Sequence, residues 1–309
     1  MRFVCPQCRQ HLEPQQHGYS CSACDRTYPV ICGIPDLRLY PDPYISLEDD
    51  RSKGEMLHAA ISGMTFADAV RYYYAITPED PADLAAIWTA RALVEVEIAG
   101  QILTYAPSHH GNLLDVGCST GAALIAAGGG TGVDVAFRWL VLGQLRLREA
   151  GVNATLVCAN AEHLPFPDGV FSRVTSFDTL EHLSDAKAGL QEMRRVGRTL
   201  LLTSNNRWAP LPEPHVHLWG VAWLPRRLQK GYVAWRRGDL HPYRIALRGP
   251  REGAALAREA GWREVQVEAA PIFAPQLGPK AQSMLSAYLS VRRLPGLRLV
   301  APRWMLRAS

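Results

Sequence analysis

No stretch of this chain approaches the ~18 consecutive apolar residues that a membrane-spanning helix needs, although 48% of its 309 residues are hydrophobic. It lacks internal repeats and low-complexity tracts, which excludes solenoid and fibrous architectures. The opening residues Met1-Arg2-Phe3-Val4-Cys5-Pro6 lack the apolar core of a secretory leader. These absences predict a soluble, cytoplasmic protein with one sizeable core and one small extra module. Cysteines number seven; four form two CxxC pairs, while Cys32, Cys118 and Cys158 have no evident partner. In a reducing compartment such pairs point to metal rather than disulfides. Acid is scarce in two stretches. Residues 207–248 hold eight Lys/Arg against Glu213 and Asp239, and residues 281–309 hold five Arg and no acid. The remainder is therefore acidic, since the whole chain carries only +4.

What is present divides into three parts: 1–40, 41–110 and 111–309. The first is rich in Cys, Pro and Gly and reads as a compact ribbon. Cys5-x2-Cys8 and Cys21-x2-Cys24 are separated by 12 residues, so two tight knuckles can bring four thiolates around one ion. That is the shell structural Zn2+ prefers, and its closure implies a structural rather than catalytic metal. A module this small has too little core to fold without such help. After the linker Tyr40-Pro41-Asp42-Pro43, residues 45–105 read as helical, with Thr77-Pro78-Glu79-Asp80 supplying an N-cap, a first-turn proline and acids.

From residue 112 the pattern alternates between strands and helices. Strands are predicted at 112–116, 131–135, 154–159, 174–177, 199–203, 265–268 and 301–306, and helices at 137–150 and 251–260. This implies an α/β, Rossmann-like sheet with helices on both faces. The first strand runs into Leu114-Asp115-Val116-Gly117-Cys118-Ser119-Thr120-Gly121, a turn whose glycines allow close backbone approach to a ligand. Asp134 ends the second strand, where a carboxylate can accept from both ribose hydroxyls. Asn160 and Ala161 end the third, where an amide can meet an adenine edge. The fourth leads into Phe177-Asp178-Thr179-Leu180-Glu181-His182.

LDVGCSTG, GVDV, ANAEHLPFPDGVFSRV and DTLEHL resemble the successive motifs of class I methyltransferases that use S-adenosylmethionine (SAM), including those of quinone biosynthesis. The resemblance is strong over 111–204 and loose over 205–309. It implies a SAM-dependent enzyme in which Asp115, Gly117, Cys118 and Gly121 frame the methionine part. Asp134 would hold the ribose, Asn160 and Ala161 would contact adenine, and Asp178 would close the site. Two departures stand out: Asn160 replaces the Asp of many relatives, and 122–130 is shorter than usual. Residues 28–35 resemble the end of zinc-ribbon modules that accompany such enzymes.

The segment 207–248 holds Trp208, Trp219, Trp223 and Trp235 with His215, His217, His241 and Tyr243. Its position after the fifth strand suggests a lid over the ligand edge. A helix over 225–237 would place Leu224, Leu228, Tyr232 and Trp235 on one face. That stripe packs on the core, meets a membrane surface with the basic residues around it, or grips RNA through phosphates and stacked bases. His182, His215 and His217 are the candidate general bases for a hydroxyl acceptor, with His182–Glu181 alternatively structural. The expected acceptor is a small-molecule or lipid-derived compound undergoing O- or C-methylation, with peripheral contact at the inner membrane face. Two alternatives are an rRNA or tRNA base methyltransferase that reads RNA through the ribbon, and a non-catalytic SAM-binding partner protein. Against RNA, the ribbon has no acid-free basic face and no Asn/Asp-Pro-Pro-Tyr signature follows the fourth strand. Against the non-catalytic partner, the glycine turn and Asp134 are intact.

Overall fold

The computed structural model describes residues 2–106, 111–238 and 243–271, and from 283 onward all but 284, 285, 289, 292, 293 and 295. The ribbon is a small antiparallel sheet of β1 (Glu13–Gln15), β2 (Gly18–Cys21), β3 (Arg26–Ile31) and β4 (Ile34–Pro35). Three helices follow: α1 (Leu47–Ala60), α2 (Phe66–Ala75) and α3 (Ala82–Leu103). Ser46 and Thr65 cap the first two, each side chain accepting from the backbone N–H three residues on.

The α/β part begins with β5 (Leu113–Val116), α4 (Ala122–Ala127), β6 (Gly130–Asp134), α5 (Phe137–Glu149) and β7 (Ala154–Cys158). It continues through β8 (Phe171–Phe177), α6 (Ala186–Val196), β9 (Gly197–Asn205), α7 (Arg226–Arg237), α8 (Pro250–Glu259), β10 (Gln266–Ala269) and β11 (Arg303–Ala308). The seven strands lie in the order β10-β11-β9-β8-β5-β6-β7. The five from β5 to β9 are parallel, and β11 runs antiparallel between β9 and β10. The expected Rossmann-like α/β architecture with a ribbon in front is therefore what the chain adopts. Strand order reverses between β5 and β8, and such a switch point opens a crevice at the strands' carboxyl ends.

Alternation along the buried strands divides the core in two. Leu113 joins Leu124, Phe137 and Leu140 of the α4–α5 side, whereas Leu114 and Val116 join Leu190, Met193 and Val196 of α6. Burying each such side chain contributes about 1.5–3 kcal/mol. The short 122–130 connection does not leave an open edge, because β6 sits between β5 and β7. The true edge is β7, and the end of the ribbon covers it: Leu37 N–H donates to the Cys158 carbonyl at 2.8 Å, and Asp36 bridges Cys158 in parallel. Pairing of this kind removes the hazard of an unpaired strand.

A buried ionic network fastens this junction. The Arg38 guanidinium donates to Asp36 at 2.7 Å and to Asp50 at 2.6 Å, with all three side chains buried. Asp50 also accepts from the Phe137 N–H at 2.9 Å and from Arg138 at 2.8 Å. It thereby caps α5, whose own N-cap residue Ala136 offers no side-chain acceptor. Removing one partner of such a network costs about 3–5 kcal/mol, because the other charge is stranded. Among the described residues, no helix is long and apolar enough to cross a membrane.

Candidate active site

The glycine turn is shaped by backbone sterics. Gly117 and Gly121 both have φ of +77°. A Cβ at Gly117 would lie 2.0 Å from Thr179 Oγ1, so any other residue would be strained and would also collide. The Gly117 and Cys118 N–H groups both donate to the Val133 carbonyl, at 2.8 and 3.0 Å, which fixes the turn to the end of β6. Asp134, the last residue of β6, accepts from Ser119 N–H at 2.8 Å and Ala136 N–H at 2.9 Å. Each carboxylate oxygen thus keeps acceptor capacity for a ligand. Burial raises the Asp134 pKa against the lowering by these two bonds. Asp115 is buried within β5 and accepts from Thr175 Oγ1 at 2.7 Å, and burial pushes its pKa up to about 7.

These groups line a cavity of about 410 Å³ at the carboxyl ends of β5, β6 and β8. All the predicted cofactor residues except Gly121 contribute to its lining. Three of them do so differently from expectation. The Cys118 side chain turns into the core beside Gly132 and Leu124, leaving backbone to face the cavity. The Asn160 amide is engaged by the protein itself. Its Oδ1 accepts from Leu39 N–H at 2.8 Å and its Nδ2 donates to the Tyr40 carbonyl at 3.1 Å, so it clamps the segment after the ribbon as a wall. Asp178 accepts from both guanidinium arms of Arg303 and from Thr203, and Arg91 stands 3.6 Å away. Its carboxylate, depressed by those two arginines despite burial, is spent on the protein itself.

Sequence reasoning missed Arg91, Glu95, Asp42, Tyr44, Arg138 and Arg303, all of which line the cavity. Arg303 arrives because β11 pairs with β9, bringing it opposite Asn205. The others come from α3, the linker and the start of α5, whose sequences carry no ligand motif.

A second cavity of about 440 Å³ adjoins the first, and Tyr44, Arg138, Trp139 and His182 line both. Its walls are aromatic. Tyr73 lies 4.5 Å from Trp139 between ring centroids, and Tyr74 lies 6.0 Å from Trp88. Tyr73 and Tyr74 therefore face a cavity as well as the core. Two of the three candidate bases meet here: His182 and His215 stack edge to face with centroids 4.9 Å apart. His215 Nδ1 lies 2.6 Å from the fully buried Glu213 carboxylate, which also accepts the His215 and Val216 N–H groups at 2.8 Å. Burial opposes a charge on His215, but Glu213 outweighs it and raises the pKa. Enclosure and the neighbouring His215 push His182 down, so His182 is neutral. His217 does not join them: with φ of +50° it turns outward and is exposed. His241 lies outside the described residues. Glu181, also buried, accepts from Ser204 Oγ and Asn205 Nδ2, both at 2.8 Å, and ties the end of β8 to β9.

In the ribbon the four predicted ligands converge. The Cys5, Cys8, Cys21 and Cys24 sulfurs all lie within 4.8 Å of one another. The separations Cys5–Cys24, Cys8–Cys21 and Cys8–Cys24 are 3.5, 3.4 and 3.7 Å. Zn–S bonds of ~2.3 Å in a tetrahedron require sulfurs roughly 3.8 Å apart, so the donor set fits a zinc ion. Cys32 is half-buried with φ of +50°, in the turn outside this tetrad.

Comparison with known proteins places this geometry in context. The family profile described as "Methyltransferase domain" matches residues 114–199. The ubiquinone/menaquinone biosynthesis C-methyltransferase of Burkholderia mallei is 32% identical over 163 residues, covering 47% of this chain and 67% of that protein. Among solved structures, a SAM-dependent methyltransferase from Thermotoga maritima aligns with a TM-score of 0.48 at 15% identity, covering 73% of this chain and 96% of its own. Phosphoethanolamine N-methyltransferase 2 of Haemonchus contortus, solved with SAM, aligns with a TM-score of 0.44 at 17% identity, covering 69% and 51%.

Proposed function

The chain belongs to the class I SAM-dependent methyltransferases, and from that premise we propose that it methylates a small, largely apolar acceptor held in the aromatic cavity. The observation that carries this reading is the shared wall of Tyr44, Arg138, Trp139 and His182, which sets a chamber of suitable size directly beside the glycine-turn cavity.

SAM bound at the glycine turn supplies an electrophilic methyl on its sulfonium. Asp134 would accept from the ribose hydroxyls with the lone pairs that Ser119 and Ala136 leave over. Gly117 admits the methionine part while Gly121 lets the chain turn into α4, and the acids Asp115, buried, and Glu95, partly exposed, favour the positive charge of that part. Adenine would meet Ala161 and the wall that Asn160 holds through Leu39 and Tyr40. Alignment of acceptor and methyl is the main task of the protein in such a transfer. For a hydroxyl acceptor or an acidic ring carbon, His215 takes the proton at Nε2. Glu213 holds its Nδ1–H and stabilises the imidazolium that forms. Such an arrangement suits O- or C-methylation, and the Burkholderia relative is named for C-methylation in quinone biosynthesis. Zn2+ on Cys5, Cys8, Cys21 and Cys24 would be closed and structural. The direct test is mass analysis of products after incubation with labelled SAM and fractionated lipid, small-molecule and RNA extracts. Label appearing only in RNA would overturn the acceptor class.

A further inference from the structure

Helix α7 turns most of its apolar stripe away from the core. The residues it buries are Gln229 and Val233. Leu228, Gly231 and Trp235, spaced as one helical face, point away from them, with Leu228 52% and Trp235 76% exposed, while Tyr232 at the edge of that face is half-buried against the Leu218, Val221 and Val233 cluster. Trp219 and Trp223, just before the helix, are 58% and 47% exposed. Tyr232 Oη donates to the Trp219 carbonyl at 3.1 Å, so the two segments present one surface.

Charge frames that face. Arg227 flanks the stripe on one side and Arg236 on the other, with Lys230 beyond Arg227, and all three are exposed. Arg236 lies over the Trp235 and Tyr232 rings. Lone exposed apolar residues are ordinary, but clustered exposed tryptophans and leucine are not. Tryptophan with flanking Lys/Arg matches the headgroup layer of a membrane, where the rings sit at the interface and the cations meet phosphate. A nucleic acid would exploit the charge but leave Leu228 in water.

We propose that the 219–235 surface docks on an anionic lipid bilayer, lying in the interface without crossing it. The helix's inner residue Val233 lines the aromatic cavity, so docking would bring that cavity to the bilayer surface. This consequence rests on the acceptor reading above; the docking itself does not.

The test uses the full chain and binding alone. Vesicles of phosphatidylcholine with and without half phosphatidylglycerol are sedimented with the protein, beside a gel shift with a duplex and a single-stranded RNA. Preferential sedimentation with the anionic vesicles, with a blue shift of tryptophan emission, is expected. Arg227→Glu with Lys230→Glu should reduce anionic binding at least tenfold, since each basic residue near such a surface contributes about 1 kcal/mol. Trp219→Ser with Trp235→Ser should abolish the blue shift. SAM affinity should be unchanged in both variants, which shows that they remain folded. Sedimentation with neither vesicle, equal binding to both, or retention of RNA alone would overturn the proposal, whatever the acceptor proves to be.

Discussion

The cofactor cavity is built around strand-end residues between Asp115 and Ala161, to which Asp42, Arg91 and Arg303 are added from afar, whereas the aromatic cavity has no strand-end motif and is assembled from side chains scattered between Tyr44 and Ile245. The first depends on backbone: two left-handed glycines, paired N–H donors and one carboxylate at a strand end. The second depends on side chains from α1 to α3, the start of α5, and segment 207–248. A backbone-built site can be recognised wherever its motif occurs. A side-chain-built site is specific to the packing of one protein, so it is where a family diverges in its acceptor.

The contrast can be broken most severely at the ribbon, because the segment Leu39–Tyr40 that follows its strands walls the cofactor cavity. Elemental analysis should find one zinc per chain, lost in Cys5→Ser and Cys24→Ser variants. Structural zinc contributes folding free energy directly, so chelation should lower the melting temperature by many degrees and release the Leu39–Tyr40 wall. SAM affinity would then fall although no SAM-contacting residue has changed. Unaltered melting and affinity after zinc removal would show the ribbon to be an appendage.

Next in size is His215→Ala, which separates the two cavities. It should lower kcat by ~10²–10⁴-fold and leave SAM affinity unchanged in calorimetry. In the wild type, activity should fall as pH drops through the His215 pKa, which Glu213 raises above its ordinary value, because only neutral imidazole accepts a proton. The variant should lose that limb. An unchanged pH profile would mean the acceptor needs no base here.

Asp134→Ala tests the other cavity in the opposite sense. Loss of an acceptor for ribose hydroxyls should cost about 1–3 kcal/mol, or roughly 5–150-fold in Kd for SAM. The acceptor's own KM should move little at saturating SAM. Unchanged SAM affinity would remove the ribose assignment.

The smallest effect is expected from Asp115→Asn. The folded pKa of about 7 lies above that of an unfolded Asp. Between about pH 4 and 7 the folded state therefore holds a proton that the unfolded state has lost. By linkage, stability of the SAM-free enzyme falls as pH rises through that window. The variant should abolish the slope and be the more stable of the two at pH 8. Chemical denaturation at pH 5 and pH 8 checks this; parallel curves for both proteins would contradict it.

Short-range patterns determined much of this protein from the sequence alone. Gly117, Gly121, Asp134 and the two CxxC pairs act through local backbone conformation and fixed spacing, so their geometry travels with the motif. The order of strands and helices was equally readable, because hydrophobic periodicity reports burial on each element. Tertiary structure alone decided which faces met. Asn160 has the right position for adenine, yet the docked ribbon claims its amide. Asp178 sits at the expected strand end, yet β11, arriving from the far end of the chain, neutralises it with Arg303. The α7 stripe reads as an apolar face by periodicity, which gives a face without its direction, and packing turned most of it outward. His182 and His215 lie 33 residues apart in the sequence, and only the return of segment 207–248 over the sheet edge brings their rings into contact. Long-range contacts of this kind are selected by complementary surfaces and buried charge, which no local run of residues encodes.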